Sequence, residues 1–191
     1  MSQEIPDVKV LEQIATATPP FPQSWVGMSF GSSPRNPHGL LLSFWPWAKG
    51  CFSKYIIPDH FCSYQGIAHG SIVTCVLDEV AAWAACYTML HLVLTHKMEI
   101  TFLKPVPTKV DLFAISQIMH ADAKKILTYS TILNDNGTRL AEATGKFSIA
   151  SLSMIAKFTS IPEDTLQKSD DQMIASFKEY NASLKNIGKK R

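Results

Sequence analysis

A chain of 191 residues with 46% hydrophobic and 18% charged side chains is long and apolar enough to bury a core of its own, which excludes a disordered chain. Its 18 Lys and Arg stand against 16 Asp and Glu, a formal net charge of +2. That is too small an excess for salt-dependent capture of a polyphosphate, so nucleic acid is not an expected partner. The four cysteines, Cys51, Cys62, Cys75 and Cys86, form no C-x-x-C pair and are expected to be reduced, small apolar residues of a cytoplasmic protein.

Residues 1–35 read as a partly helical leader. Met1 to Asp7 lack the basic and apolar regions of a secretory signal, and a short helix is expected over Val8 to Ala15. Pro19-Pro20-Phe21-Pro22 and Gly31-Ser32-Ser33-Pro34 are breaker-rich. Residues 36–157 read as the main domain. Leu40 to Trp47 and Lys49 to Ile57 are β-rich runs, Pro58 to Gly70 is a loop, and an apolar helix follows in the run Ile72 to Leu94.

The period then changes to two. Met98, Ile100 and Phe102 share one face of a strand, and Lys97, Glu99 and Thr101 the other. Lys104-Pro105-Val106-Pro107 ends it. Further strands are expected over Val110 to His120, Lys125 to Asn134 and Arg139 to Ser151, with Asp135-Asn136-Gly137 turning the last two into a hairpin. The order strand, strand, long helix, four strands implies an α+β domain whose mostly antiparallel sheet curls around the helix.

Residues 158–191 form a helical tail. Ser169-Asp170-Asp171-Gln172 resembles a capping box, and Ile174, Phe177, Asn181 and Leu184 make a stripe suited to packing on the outside of the domain. The basic end Lys189-Lys190-Arg191 would suit a membrane surface or a partner instead.

The run Ile72 to Leu94 is long enough to span a membrane, but Asp78 and Glu79 lie inside it, which favours a buried helix in a water-soluble domain. Val73, Val76, Leu77, Val80, Trp83, Ala84 and Tyr87 surround that helix, so it needs cover on more than one side. A second subunit is expected to supply it.

Gly70 opens the helix, where backbone N–H groups without internal partners can bind a developing oxyanion. Asp78 is a carboxylate on a helix otherwise built for burial, so its pKa should rise. Eight residues at 1.5 Å rise separate the two by ~12 Å, whereas a reacting carbonyl needs its base or nucleophile within ~3.5 Å. One chain cannot bring both to one carbonyl; two such helices packed antiparallel across a two-fold axis can. Glu79 points about 100° away from Asp78 and is expected to be a buried or interface partner.

The ordered set Asn36-Pro37-His38-Gly39-Leu40, Gln65-Gly66-x-x-His69-Gly70, Leu77-Asp78-Glu79, Lys104-Pro105-Val106-Pro107 and Asn136-Gly137 resembles the hot-dog-fold acyl-CoA thioesterases of the PaaI-like branch, within the 4-hydroxybenzoyl-CoA thioesterase superfamily. The likeness covers residues 36 to 150. It implies hydrolysis of an acyl thioester by a homodimer or a dimer of dimers, with coenzyme A as part of the substrate and no cofactor or metal. By position, the Gly70 N–H would be the oxyanion donor. His69 would position the thioester or the helix start. Asp78 of the partner subunit would act as base for water or as nucleophile, and Thr95 would help hold the water.

Ser63 stands where many relatives have an Asn, and Gln65 supplies the nearby amide. Ser71 replaces the second glycine of the usual His-Gly-Gly. Each of these polar residues has a plainer reading as well: His69 as a loop cap, Ser71 as a first-turn helix residue, Thr95 as the start of a strand. The coenzyme's phosphates would lie near surface basic groups such as Lys97, Lys104 and Lys146.

Other chemistries lack their motifs. Neither G-x-x-x-x-G-K-[ST] nor G-x-G-x-x-G is present, no G-x-S-x-G supplies a nucleophile elbow, and His38, His60, His69, His91, His96 and His120 are too scattered for a metal site. Two rivals share the fold. One is a domain that binds an acyl-CoA or aromatic ligand without hydrolysis, suggested by Ser71 and by the crowded Phe44, Trp45, Trp47 and Phe52. The other is an enoyl-CoA hydratase, which would need a His and a carboxylate converging on the acyl chain.

Overall fold

A computed structural model describes residues 5–23, 27–47 and 50–188, with side chains to residue 182. Expectations that fall on Met1 to Glu4, Lys49, the side chain of Leu184 and the Lys189-Lys190-Arg191 end lie outside the described residues. In chain order the elements are α1 (Val8–Ala17), β1 (Trp45–Trp47), β2 (Gly50–Ile56), a 3-10 turn (Asp59–Phe61), β3 (Cys62–Tyr64), β4 (Ile67–Ala68), α2 (Gly70–Met89), β5 (Val93–Phe102), β6 (Asp111–Ala121), β7 (Ile126–Asn134), β8 (Arg139–Ile149), α3 (Leu152–Phe158) and α4 (Glu163–Gly188).

Six strands pair antiparallel in the order β1-β2-β6-β7-β8-β5, and α2 lies across one face of that sheet. Val73, Val76, Leu77, Val80 and Ala84 are buried with Leu112, Ala114, Ile132, Ala141 and Ala143 in one cluster. Burying a Val or Leu side chain stabilises by about 1.5–3 kcal/mol, so this face anchors the helix. By length and composition α2 could cross a membrane, but eight of its residues are buried within the fold, and packing accounts for its apolarity. The β7–β8 hairpin turns where expected, with Gly137 at φ 73. On the opposite face of the sheet, α1 packs Val8 and Leu11 on Trp45, Phe52, Phe113 and Ile115.

Four boundaries differ from expectation, each for a local reason. The apolar run Ile72 to Leu94 contains a helix end: Leu90 turns left-handed (φ 54) and donates its N–H to the Cys86 carbonyl, so Val93 and Leu94 join β5. A continuous apolar run carries no periodicity that would show that break. Leu40 to Phe44 alternate in burial like a strand, but the N–H groups of Leu40 and Leu42 bond to the carbonyls of Phe30 and Gly31, and Leu41 sits at φ 56, so only Trp45–Trp47 pairs. The Pro58–Gly70 loop contains the β3–β4 hairpin. Finally, α4 begins six residues before the capping-box pattern, where the Pro162 carbonyl accepts from Thr165 and Leu166; Ser169 and Asp170 are mid-helix and buried.

The buried stripe of α4 is Leu166, Met173, Phe177 and Tyr180, offset from the expected one, with Ile174 and Asn181 only half-buried. This stripe and Phe21 of the leader complete the cover of α2. Phe21 lies 4.7 Å from Tyr87 and 5.1 Å from Phe177 between ring centroids, and Trp83 stacks on Phe44 at 4.9 Å. Tyr180 donates to the Pro19 carbonyl at 2.7 Å. The cover sequence reasoning assigned to a second subunit is thus supplied in large part by the chain's own extensions.

Candidate active site

The start of α2 is held from three sides. The Ala68 N–H bonds to the Val106 carbonyl at 2.8 Å and the His69 N–H to the Phe61 carbonyl at 2.8 Å, so the Lys104-Pro105-Val106-Pro107 segment and the 3-10 turn fix the entry of the chain. His69 is the N-cap, its Nδ1 accepting from the Ser71 N–H at 3.1 Å and lying 2.7 Å from Ser71 Oγ. A backbone N–H can only donate, so Nδ1 is an acceptor and the neutral imidazole carries its proton on Nε2. His69 thus caps the helix through Nδ1 and keeps Nε2–H as a donor.

Among the described residues the Gly70 N–H has no intrachain acceptor. The ring of Phe102, 55% exposed, stands 3.6 Å from where a Gly70 Cβ would be. Phe102 is a wall of this corner that sequence reasoning placed only in a strand's apolar face. Ser63 and Gln65 lie on the exposed β3–β4 hairpin leading into the corner.

Two turns further along α2, Thr95 of β5 donates to Asp78 Oδ1 at 2.8 Å. Burial pushes the Asp78 carboxyl above its ordinary range, and the Thr95 hydroxyl partly reverses that. Among the described residues no cation pairs with it. The structure therefore joins His69, Gly70 and Ser71 at one corner and Asp78 with Thr95 at another. The helix rise keeps the two ~12 Å apart within one chain.

Glu79 faces elsewhere. Ser29 donates to its Oε1 at 2.8 Å, and Trp83 Nε1 donates to Ser32 Oγ at 3.2 Å beside it. Burial raises its pKa, while these leader contacts lower it. Gly31 is required here: a Cβ would lie 2.1 Å from Glu79 Cγ. A cavity of about 200 Å³ opens on this side, lined by Glu79, Ala82, Trp83, Cys86, Leu92 and Met173 among others. It does not include Asp78. Sequence reasoning had no signal for the Ser29–Glu79 contact, which joins residues 50 apart.

Phe44 stacks in the α2 core, and Trp45 stacks on Phe52 beneath α1. Neither Phe44 nor Trp45 is stacked at the Gly70 corner or the Asp78 corner, and Trp47 packs with Trp45 beneath α1. All four cysteines are free; Cys51 is buried, but Cys62 on β3 is exposed rather than a core residue. Among the described residues no three His, Cys, Asp or Glu side chains converge as a metal site would require.

A six-stranded antiparallel sheet packed on one long apolar helix is the hot-dog fold, shared with solved structures of the thioesterase superfamily. Three of them illustrate the likeness. The Escherichia coli PaaI protein of the phenylacetic acid degradation operon aligns at TM-score 0.55 and 18% identity, over 59% of this chain and 81% of its own. A Streptococcus mutans protein bound to acetyl CoA aligns at 0.53 and 18%, over 58% and 89%. A Streptococcus pneumoniae protein described as a hypothetical thioesterase, with coenzyme A, aligns at 0.53 and 16%, over 58% and 86%. No protein-family model and no curated protein sequence matches this chain.

Proposed function

We propose that this protein hydrolyses acyl-CoA, or another acyl thioester, to the free acid and the thiol, within the PaaI-like group its motifs resemble. The observation that carries the reading is Asp78: a carboxylate on an otherwise apolar helix, aimed by Thr95 and paired with no cation. Burial makes it a better base than a solvated Asp. In the proposed step Asp78 takes a proton from water as the water oxygen attacks the thioester carbonyl. The Gly70 N–H of a second subunit, with His69 Nε2–H beside it, receives the oxyanion. The C–S bond then breaks, and the thiolate leaves to be protonated.

Two features support the second subunit. Strand β5 is a ten-residue open edge, which a copy of itself can pair with. Exposed Leu94, Phe102, Leu103 and Tyr64 lie on or near that edge and the helix entry, as an interface requires. The free cysteines suit the reducing cytoplasm.

A thiol-release screen over short, medium, long and aromatic acyl-CoAs tests the reading. Asp78→Asn should lower kcat on the best substrate by about 10²–10⁴-fold, with the sedimenting species of wild type and variant both dimer or larger. Unchanged turnover in the variant, or a strictly monomeric active enzyme, would overturn it.

A further inference from the structure

We propose that the tail helix α4 gauges the acyl group: its Met173 closes a cavity beside Asp78 that takes an uncharged acyl chain of about six to eight carbon atoms and rejects one ending in a carboxylate. This deepens the hydrolase reading above and rests on it. The six-stranded sheet and α2 make up the hot-dog fold; α4 and the leader are additions to it, and the cavity lies where those additions meet α2.

Geometry joins the cavity to Asp78. Ala82 follows Asp78 by four residues, on the same side of α2 and ~6 Å further along its axis, and Cys86 continues that row. Val93 precedes Thr95 by two residues of β5, with no register shift between them: Val93 pairs with Ile149 and Thr95 with Phe147. Val93 therefore faces the helix as Thr95 does, and it packs with Ala82 in the cluster that joins α2 to the sheet. Ala82, Cys86 and Val93 all line the cavity. It is thus the next space along the α2–β5 seam after the Asp78–Thr95 pair, and a thioester carbonyl held at Asp78 can run its acyl chain into it.

Size and closure set the length. The cavity measures about 200 Å³, whereas ~150 Å³ is enough for a benzene ring. Among the described residues Met173 is the one lining side chain that α4 supplies. It is 3% exposed, in the same buried stripe as Phe177, so the tail holds it against α2 without touching either catalytic corner.

Charge sets the kind. Among the described residues the lining includes Glu79 but no Lys, Arg or His. Ser29 donates to Glu79 Oε1 at 2.8 Å, which favours the charged carboxylate. Lys97 of β5 is turned away: it pairs with Lys146, so the strand shifts by one residue at His96, and Lys97 emerges on the outer face of the sheet. A carboxylate at the end of an acyl chain would enter beside a like charge, with no cation to offset its desolvation.

The test uses the full chain and thiol release from acetyl-, hexanoyl-, octanoyl-, decanoyl- and glutaryl-CoA. Wild-type kcat/KM should peak at hexanoyl- or octanoyl-CoA and fall at decanoyl-CoA. Met173→Ala should raise the decanoyl-to-acetyl ratio of kcat/KM about tenfold, the effect of burying about two further methylenes. Ala82→Leu fills the cavity instead of enlarging it and should lower the octanoyl-to-acetyl ratio by about tenfold; it covers the case of a Met173→Ala protein that fails to fold. Glu79→Gln should raise the glutaryl-to-hexanoyl ratio about tenfold.

A chain-length profile left unmoved by folded Met173→Ala, or by Ala82→Leu where the first does not fold, overturns the gauge and leaves the hydrolase standing. Glutaryl-CoA turned over by wild type as well as hexanoyl-CoA overturns the exclusion of charge. No thiol release by wild type from any of these thioesters overturns the hydrolase reading and, with it, the gauge that rests on it.

Discussion

Asp78 and Glu79 are adjacent carboxylates on one helix, and the structure gives them opposite surroundings. Asp78 faces the open β5 edge with a single hydroxyl partner, Thr95. Glu79 is held under the leader by Ser29 and the close-packed Gly31, beside the cavity it helps to line. Both carboxyls are pushed up by burial, so a raised pKa does not distinguish a reactive acid from a structural one. Partners do: Asp78 keeps all but one hydroxyl contact free at the strand edge, whereas Glu79 is taken up by the leader residues Ser29 and Ser32 that it secures.

The comparison can be broken most directly by exchanging each acid for its amide. Asp78→Asn should lose turnover by about 10²–10⁴-fold, whereas Glu79→Gln should stay within a few-fold of wild type; a Glu79→Gln enzyme as inactive as Asp78→Asn would reverse the assignment. Stability should move as well. A folded pKa above the unfolded value favours the protonated form, so the stability Asp78 contributes is present below its unfolded pKa and is lost as pH rises through its folded pKa. Denaturant melts at neutral pH should therefore find Asp78→Asn more stable than wild type, with the gap closing under acid conditions.

Next in size is the seal on the Glu79 side. Phe177 is fully buried among Phe21, Trp83 and Tyr87, so Phe177→Ala should cost about 3–5 kcal/mol in unfolding experiments. Catalytic constants per folded molecule should change little, because the ring touches neither corner; a large kcat loss with native stability would show that the tail belongs to the site.

The smallest effect sharpens the Asp78 side. Thr95→Val removes the contact that lowers the Asp78 pKa, so the acid limb of the pH–rate profile should move to higher pH, with kcat at the plateau down by roughly tenfold. An unmoved limb would show that Thr95 does not act through Asp78.

Much of this was legible before any coordinates. Alternation in Met98, Ile100 and Phe102, the Asp135-Asn136-Gly137 turn and the apolar run containing Asp78 define the sheet and its helix, because periodicity and turn chemistry are local. The spacing of Gly70 and Asp78 also places the two corners apart without a structure. What escaped depended on long-range contact or on a single backbone angle. The left-handed Leu90 that ends α2 has no glycine to announce it. Phe102 over Gly70, Ser29 on Glu79 and the insertion of Phe21 and Phe177 into one cluster join segments that share no pattern. The start of α4 was misplaced because Ser169-Asp170 looks like a cap but lies inside a helix already begun behind Pro162.

The one-residue shift at His96 separates two kinds of chemistry by counting. In an even strand, positions 95 and 97 would look the same way; with His96 unmatched, parity flips, and the hydroxyl on the helix side is insulated by the thickness of the sheet from the ammonium on the other. Removing His96 would only close the bulge and leave Lys97 opposite Lys146, whereas drawing His96 into the ladder in its place would turn Lys97 to the helix side and send Met98, Ile100 and Phe102 out into water.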